Sequence, residues 1–210
     1  MEAIERLLLD AGITPIAGVD EAGRGACAGP LVVAAVILRD PFAPELAQVR
    51  DSKVVSEKER EELYDVVVAA AEAICVIEVP SLMVDERGVH AANIDGMRRA
   101  VHGLTALPKY VLTDGYVIPG LGYPTLGVWK GDQVVHTISA ASIIAKVTRD
   151  RIMRELDGEF PGYGFAQHKG YVTLNHTKAL QALGPCAVHR YSFSNVASFI
   201  NRTEWPTFAK

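Results

Sequence analysis

Four acidic residues stand at or just after the ends of predicted apolar strands, where their carboxylates could bind metal ions. Asp20 and Glu21 follow one apolar run, Asp114 follows a second, and Asp132 comes shortly after a third. In open α/β sheets, functional sites gather at the carboxyl ends of strands. We therefore expect these four side chains to approach one another.

Carboxylates that converge on one point raise each other's pKa unless a cation lies among them. Mg²⁺ and Mn²⁺ are hard cations that prefer carboxylate oxygen. Two such ions can activate a water molecule and stabilise the leaving oxygen of a phosphodiester. The acids therefore predict a two-metal site for Mg²⁺ or Mn²⁺, although each acid taken alone also fits an ordinary turn or cap.

The elements that must position these acids alternate along the chain. The helix after residue 56 has a capping box, in which Ser56 caps early amides and Glu59 reaches back. Hydrophobic periodicity predicts strands at 16–20, 31–38, 73–79, 110–113 and 123–129, and helices at 57–73, 91–103, 137–156 and 174–183. This order predicts an α/β fold with a mixed sheet.

Composition indicates one soluble globular domain. The chain has 210 residues, of which 49% are hydrophobic and 22% charged. We predict a domain over residues 1–200 and a tail of unknown role at 201–210. The acidic N-terminal segment and the absence of a long apolar run predict a cytoplasmic protein without membrane contact. The three cysteines form no C-x-x-C pair and are expected to be free thiols.

Charge is distributed unevenly along the chain. The net charge of −4 is a weak argument against a nucleic-acid partner, because phosphate binding usually leaves a basic surface. However, residues 1–129 carry 11 basic and 19 acidic residues, whereas residues 130–190 carry 8 basic and 5 acidic residues and four histidines. A basic surface is therefore expected in the C-terminal third.

The segment 18–25, Gly-Val-Asp-Glu-Ala-Gly-Arg-Gly, closely resembles the first signature of ribonuclease HII, the type 2 branch of ribonuclease H. Further segments that resemble this family follow in its order, at 51–53, 113–115, 130–132, 139–150 and 163–171. The resemblance covers residues 14–195. It implies a ribonuclease H-like α/β fold, with a five-stranded mixed sheet flanked by helices and a C-terminal helical extension.

The resemblance also implies an activity. The family's four catalytic, metal-binding acids fall on Asp20, Glu21, Asp114 and Asp132. The implied enzyme is an endonuclease that cuts the RNA strand of RNA–DNA hybrids and nicks duplex DNA on the 5′ side of embedded ribonucleotides. Two-metal catalysis would leave 5′-phosphate and 3′-hydroxyl ends. We expect a monomer, and the sequence leaves protein partners open.

Two further motifs would recognise the ribonucleotide. By resemblance, the backbone of Gly23, Arg24 and Gly25 lies against the ribose and senses its 2′-hydroxyl. Tyr171 matches a tyrosine that stacks on the next sugar and favours deoxyribose there. A tight glycine turn describes the same loop without its use, and a buried core residue is the competing interpretation for the tyrosine. The Arg24 side chain fits either a phosphate contact or a carboxylate contact.

Four residues would contact phosphates by the same resemblance, namely Lys53, Ser139, Ser142 and Lys146. Each also fits a local cap or solvated surface. The chain departs from many relatives at 54–55, where Val-Val replaces Lys-Leu and lowers the local positive charge. His168 and His189 could bind a metal in isolation, but the family does not use them as ligands.

Two rival interpretations remain. A related acidic-cluster DNA nuclease, such as a resolvase or a proofreading exonuclease, would lack the Gly-Arg-Gly ribose sensor. A catalytically silent nucleic-acid-binding module would be expected to lose the acids, and all four are present. An all-DNA substrate would discriminate between the nucleases.

Overall fold

The computed structural model describes residues 4–49 and 55–200, which contain five β-strands, nine α-helices and a short 3-10 helix at Pro44–Leu46. The strands are β1 (Ile16–Ala22), β2 (Leu31–Leu38), β3 (Ala71–Val79), β4 (Tyr110–Asp114) and β5 (Thr125–Val128). The helices are α1 (Ile4–Asp10), α2 (Glu57–Ala70), α3 (Ser81–Arg87), α4 (Val89–His102), α5 (Gly131–Val134), α6 (His136–Glu159), α7 (Phe165–His168), α8 (Leu174–Leu183) and α9 (Ser194–Ala197).

The five strands form one mixed sheet in the order β3-β2-β1-β4-β5. Strand β1 is antiparallel to β2 and parallel to β4, and β4 is parallel to β5. All eight residues of β2 are buried, because an inner strand covered on both faces needs apolar side chains throughout. The predicted α/β fold with a five-stranded mixed sheet is confirmed.

Helix α2 begins as predicted and ends earlier than predicted. The Oγ of Ser56 accepts from the amide of Glu59, and the Glu59 carboxylate accepts from the amide of Ser56. The helix stops at Ala70, and β3 begins at the next residue. The apolar spacing of 70–74 fits a helix as well as a strand, and pairing with the sheet decides for the strand.

The chain forms two compact units, described separately below. The sheet unit comprises the described residues within 1–22, 32–77 and 94–147, and the C-terminal unit those within 23–31, 78–93 and 148–210. Apolar residues from α1, β1, β4, α6 and the junction between α5 and α6 form a core cluster in the sheet unit, namely Leu8, Ile16, Leu112, Val135 and Ile138. A second cluster in the C-terminal unit consists of Ala28, Met153, Tyr163 and Phe165.

Two features of the described residues bear on the sequence expectations. None of their helices is both long enough and apolar enough to cross a bilayer. Cys27, Cys75 and Cys186 are free thiols, as predicted. The tail at 201–210 lies outside the described residues, and the single domain over 1–200 stays a prediction.

Candidate active site

The sheet unit brings three of the predicted acids together on two neighbouring strands. Asp20 and Glu21 lie within the last three residues of β1, not beyond its end, and Asp114 is the last residue of β4. The parallel register pairs Val19 with Thr113, so Asp20 and Asp114 come next on adjacent strands. The expected approach of these acids follows from this register.

Asp20 is the electrostatic centre of the site. Its side chain is buried, and its pKa is raised well above the usual range by burial and by the negative charges of Glu21 and Asp114. Hydrogen bonds from the Ser142 hydroxyl and from the Glu21 amide oppose that rise only in part. A carboxylate in this position is stabilised by any cation that neutralises its neighbours.

Asp114 and Asp132 are connected through the start of α5. The Oδ1 of Asp114 accepts a 2.8 Å hydrogen bond from the amide of Gly131, which follows the left-handed Lys130. Asp132 is the next residue of α5 and is buried. A backbone hydrogen bond therefore ties the end of β4 to the turn that carries Asp132.

Helix α6 supplies the predicted polar residues of the sheet unit. The fully buried Ser139 hydroxyl lies 2.7 Å from the carbonyl of Asp132 and 2.8 Å from that of Val135, so it donates into the protein. Ser142 hydrogen-bonds Asp20, and the half-buried Lys146 follows one turn later. Ser139 and Ser142 thus contact the acid site itself, and their contact with phosphate stays a prediction.

The close packing of β1 against α6 depends on Gly18, which the sequence analysis did not single out. A Cβ at Gly18 would lie 2.1 Å from the carbonyl carbon of Thr137 and 2.4 Å from the amide nitrogen of Ile138. Only glycine allows this approach of one backbone to another. Its place in the first resembling motif was the available signal.

Glu5, which the sequence analysis also missed, caps the first turn of α6. Its fully buried carboxylate accepts from the amides of His136 and Thr137 at 2.7 and 2.8 Å. The Thr137 hydroxyl donates to it at 2.8 Å, and His136 Nδ1 lies 3.0 Å away. Burial raises the pKa of Glu5, but these hydrogen bonds outweigh it and the net pKa is lowered. No local pattern marks a cap contributed from 131 residues away.

The donor set at the acid site fits a hard divalent cation. Its side chains are carboxylates, and three of them already interact electrostatically. Within residues 4–49 and 55–200, no three histidine, cysteine or acidic side chains are arranged so that they could hold a metal ion as they stand. Two of these carboxylates accept hydrogen bonds from the protein, Asp114 from the Gly131 amide and Asp20 from the Ser142 hydroxyl.

In the C-terminal unit, the predicted ribose-sensing loop begins at Gly23. This residue has a φ of +88°, and a Cβ on it would lie 1.9 Å from Nε of Arg149. Gly25 is exposed, and a Cβ there would meet nothing within 4 Å. Gly23 therefore serves close packing, whereas Gly25 leaves an uncovered stretch of backbone.

Two fully buried arginines hold this loop through its carbonyl groups. The guanidinium of Arg149 donates to the carbonyls of Pro30, Ala28 and Lys169 at 2.8 to 3.0 Å. Arg190 donates to the carbonyls of Arg24 and Gly29. A buried guanidinium needs hydrogen-bond acceptors, and these carbonyls supply them in place of solvent.

Tyr171 lies beside the same loop. The Cζ of Arg149 is 5.4 Å from the centre of its ring, which is 39% exposed. The preceding Gly170 has a φ of +77°, and its carbonyl accepts from the amide of Cys27 at 2.9 Å. The two predicted recognition elements are therefore joined in one unit, and Tyr171 is not a core residue.

Lys53, with the rest of its motif at 51–53, lies outside the described residues.

Comparisons with known proteins agree on one family. The family model described as Ribonuclease HII matches residues 17–196. A ribonuclease HII from Rhodococcus opacus is 53% identical over 204 residues, which cover 97% of this chain and 90% of the relative.

Two solved structures resemble the fold. The ribonuclease H2 from Pyrococcus horikoshii has a TM-score of 0.76 and 26% identity, over 88% of this chain and 96% of that chain. The RNase HII from Archaeoglobus fulgidus, solved in a complex with PCNA, has a TM-score of 0.76 and 27% identity, over 90% of this chain and 98% of that chain. The implied ribonuclease H-like fold is thereby confirmed.

Proposed function

This chain belongs to the ribonuclease HII family, and on that premise we propose that it nicks duplex DNA on the 5′ side of embedded ribonucleotides as well as cutting hybrids. Membership makes it a ribonuclease H endonuclease that acts on the RNA of RNA–DNA hybrids. The observation that carries the finer proposal is the exposed backbone at Gly25, where an added Cβ would meet nothing within 4 Å.

Asp20, Glu21, Asp114 and Asp132 would hold Mg²⁺ or Mn²⁺. When bound, two such ions supply an activated water and charge stabilisation at the leaving oxygen. The support for this assignment is the chemistry of the donor set, because clustered carboxylates repel one another until cations neutralise them. The enzyme would work in the cytoplasm, as the sequence predicted.

The protein's own part at the acid site is to hold these carboxylates. The Ser142 hydroxyl orients Asp20, and the Gly131 amide orients Asp114. Ser139 fixes the backbone at Asp132. Lys146, one turn after Ser142 on α6, would hold a substrate phosphate without reading sequence.

Ribonucleotide recognition would fall to the loop at 23–25 and to Tyr171. The uncovered backbone at Gly25 supports a contact with a 2′-hydroxyl, because no side chain stands between the backbone and a ligand. Arg149 and Arg190 support it further, since they hold the loop in one shape before substrate arrives. The half-exposed Tyr171 ring offers a flat apolar face for the next sugar.

The cleavage chemistry would not use the 2′-hydroxyl as a nucleophile. The 2′-hydroxyl can reach only the phosphate on the 3′ side of its own ribose. Cleavage on the 5′ side of the ribonucleotide would therefore use a water molecule as the nucleophile. The 3′ oxygen of the preceding nucleotide leaves as a 3′-hydroxyl, and the ribonucleotide keeps a 5′-phosphate. Attack by the 2′-hydroxyl would instead give a 2′,3′-cyclic phosphate.

One assay tests this proposal. A duplex DNA with one ribonucleotide, the same duplex in all-DNA form and a long RNA–DNA hybrid are incubated with Mg²⁺, with Mn²⁺ and with chelator, and the products are analysed by mass. We expect cutting of the first and third substrates only, with either metal, and 5′-phosphate ends. A cyclic phosphate, or equal cutting of the all-DNA duplex, would refute the proposal and favour a different nuclease.

Matched variants control for folding. Asp114→Asn should remove activity on both substrates, whereas Asp65→Asn, on the exposed face of α2, should leave both rates unchanged. Loss of activity in both variants would point to a general charge effect. Binding of the substrate without cutting by the unaltered protein would support the silent-module alternative.

A further inference from the structure

Three histidines of the C-terminal unit surround the backbone that carries Tyr171, and the proposed catalytic chemistry uses none of them. His176 and His189 are 1% exposed, and His168 is half-buried. The rings of His168 and His176 stack with their centroids 4.3 Å apart and 15° between their planes. The sequence shows them only as isolated histidines at three separate positions.

Hydrogen-bond geometry fixes the tautomer of His189. Its Nδ1 lies 3.0 Å from the amide nitrogen of Cys186, and an amide N–H can only donate. Nδ1 therefore carries no proton, so the 3.3 Å approach of the Cys186 carbonyl to the same nitrogen is not a hydrogen bond. In a neutral ring the proton must then be on Nε2.

The tautomer of His176 follows from that of His189. The two Nε2 atoms are 3.0 Å apart, and because His189 donates there, His176 accepts. The proton of His176 is then on Nδ1, which lies 3.0 Å from the carbonyl oxygen of Tyr171. A single direction of donation runs from the Cys186 amide through His189 and His176 to the Tyr171 carbonyl.

His168 holds the other side of the same backbone. Its Nδ1 accepts from the Gly170 amide at 3.2 Å, which leaves Nε2 to donate to the Tyr163 carbonyl at 2.8 Å. The carbonyl of His168 accepts from the Tyr171 amide at 2.9 Å. The Tyr171 amide is therefore bound by the backbone carbonyl of His168, and the Tyr171 carbonyl by the ring of His176.

The chain of hydrogen bonds from the Cys186 amide through His189 and His176 to the Tyr171 carbonyl, called the relay below, requires neutral histidine rings. A second proton on His176 Nε2 would face the Nε2–H of His189, and a second proton on His189 Nδ1 would face the Cys186 amide. The pKa of His189 is lowered to about 4, mainly by burial and to a smaller extent by the neighbouring His176. Burial also lowers the pKa of His176. Lowered pKa values at both histidines agree with the neutral rings that the hydrogen-bond geometry requires.

We propose that the relay of Cys186, His189 and His176 is a positioning device that fixes the Tyr171 backbone and thereby sets the preference for a deoxyribose after the ribonucleotide. The inference rests on the proposed contact of Tyr171 with that sugar. A hydrogen bond at the Tyr171 carbonyl restrains the peptide plane, and so the direction in which its ring projects. The histidines are positioning residues that act through Tyr171 and do not touch the substrate.

The first test reads the tautomers directly. Long-range proton–nitrogen NMR correlations of the histidine rings at pH 7 should show His189 protonated at Nε2 and His176 at Nδ1, both neutral. Exposed His90 and His102 serve as internal references. The opposite tautomer at either buried ring, or a charged ring, would overturn the proposal. This result does not depend on activity, so it separates failure of the relay from failure of the proposed function.

The second test links the relay to specificity. His189→Met removes the donor to His176 and nearly preserves volume, whereas His189→Gln keeps an N–H that can donate. We expect His189→Met to lower the ratio of single-ribonucleotide to hybrid cleavage roughly fivefold, the weight of one hydrogen bond, and His189→Gln to restore most of it. Adding Tyr171→Ala should abolish the difference between Met and His at position 189.

Equal losses on both substrates in His189→Met, or an undiminished effect of that change in the Tyr171→Ala background, would show that the histidines only pack. If the unaltered enzyme does not cut the single-ribonucleotide duplex at all, the proposed function fails whatever the tautomers are.

Discussion

Gly18 of β1 and Thr137 of α6 touch backbone to backbone, since a Cβ on Gly18 would lie 2.1 Å from the Thr137 carbonyl carbon. The strand that carries Asp20 and the helix that carries Ser142 are therefore held at a fixed distance. This contact explains how a hydroxyl on α6 reaches a carboxylate on β1.

Gly18→Ala should lower the free energy of unfolding by at least about 2 kcal/mol, because the added methyl group meets rigid backbone. The measurement is a denaturant titration. Gly158→Ala is the matched control, since a Cβ at that position of α6 would meet nothing within 4 Å. The control should be neutral or stabilising by up to about 1 kcal/mol. Similar losses in both would contradict the packing argument.

Glu5→Gln should lower stability by about 1–3 kcal/mol, because an amide must turn its NH₂ group towards donors that now lack an acceptor. Glu45→Gln, at an exposed site, is the control. The pKa of Glu5 is lowered on folding, so its contribution is present above its unfolded pKa and is lost as pH falls through the folded value. Acid titrations of the two variants should therefore differ most at neutral pH. If Glu5→Gln were as stable as the unaltered protein at neutral pH, Glu5 would not act as a cap of α6.

Asp20→Asn should abolish most turnover, because removal of a metal ligand costs several kcal/mol of transition-state stabilisation. In chelator, the same variant should melt at a higher temperature than the unaltered protein, since it loses a buried charge that Glu21 and Asp114 repel. Adding Mg²⁺ should stabilise the unaltered protein by mass action and the variant much less. Near-normal rates at saturating Mg²⁺ would refute the assignment of Asp20.

Lys146→Ala should weaken binding of hybrid and single-ribonucleotide substrates about equally, because a phosphate contact carries no information about the sugar. The slope of log affinity against log salt should become shallower by about one unit. Lys58→Ala, at an exposed position of α2, is the control and should leave the slope unchanged. An unchanged slope in Lys146→Ala would move the phosphate surface elsewhere.

The histidine relay predicts a loss of stability in mild acid. The pKa of His189 is about 4 in the folded protein against about 6.5 in an unfolded chain. As pH falls, the unfolded state therefore takes up this proton at a higher pH than the folded state does. Stability is then complete above about pH 6.5 and falls as pH drops towards 4, by roughly 3 kcal/mol at most. His189→Gln should flatten this part of the stability curve. Identical curves for the two proteins would show that His189 does not carry the effect.

Local patterns predicted the sheet well. Strand β2 spans the predicted residues, because an uninterrupted apolar run with turn residues before it has few other solutions. The position of β1 came from the apolar run at 16–20, and the eight-residue motif at 18–25 pointed to the same acid pair. Boundaries such as that between α2 and β3 were less predictable, since sheet pairing decides between two patterns that the residues fit equally.

The supporting residues could not be predicted, because each acts across a long stretch of chain. Glu5 caps a helix that begins at His136, and Arg149 binds carbonyls at Ala28 and Pro30. A buried arginine and a surface arginine have the same sequence pattern until the acceptors are known. The tautomers of His176 and His189 depend on one backbone amide at Cys186, which carries no sequence signal.

The buried arginines also bear on how the recognition loop can be altered. Arg149 and Arg190 hold the 23–30 loop through its carbonyl oxygens, and every residue type has a carbonyl. The shape of the loop is therefore largely independent of its outward side chains, while Gly23 is held by a close contact with Arg149. Arg190 contacts Arg24 through its carbonyl oxygen, and a Cβ on Gly25 would meet nothing within 4 Å. Redesign of the sugar selectivity that we propose for this loop can therefore begin at those two positions.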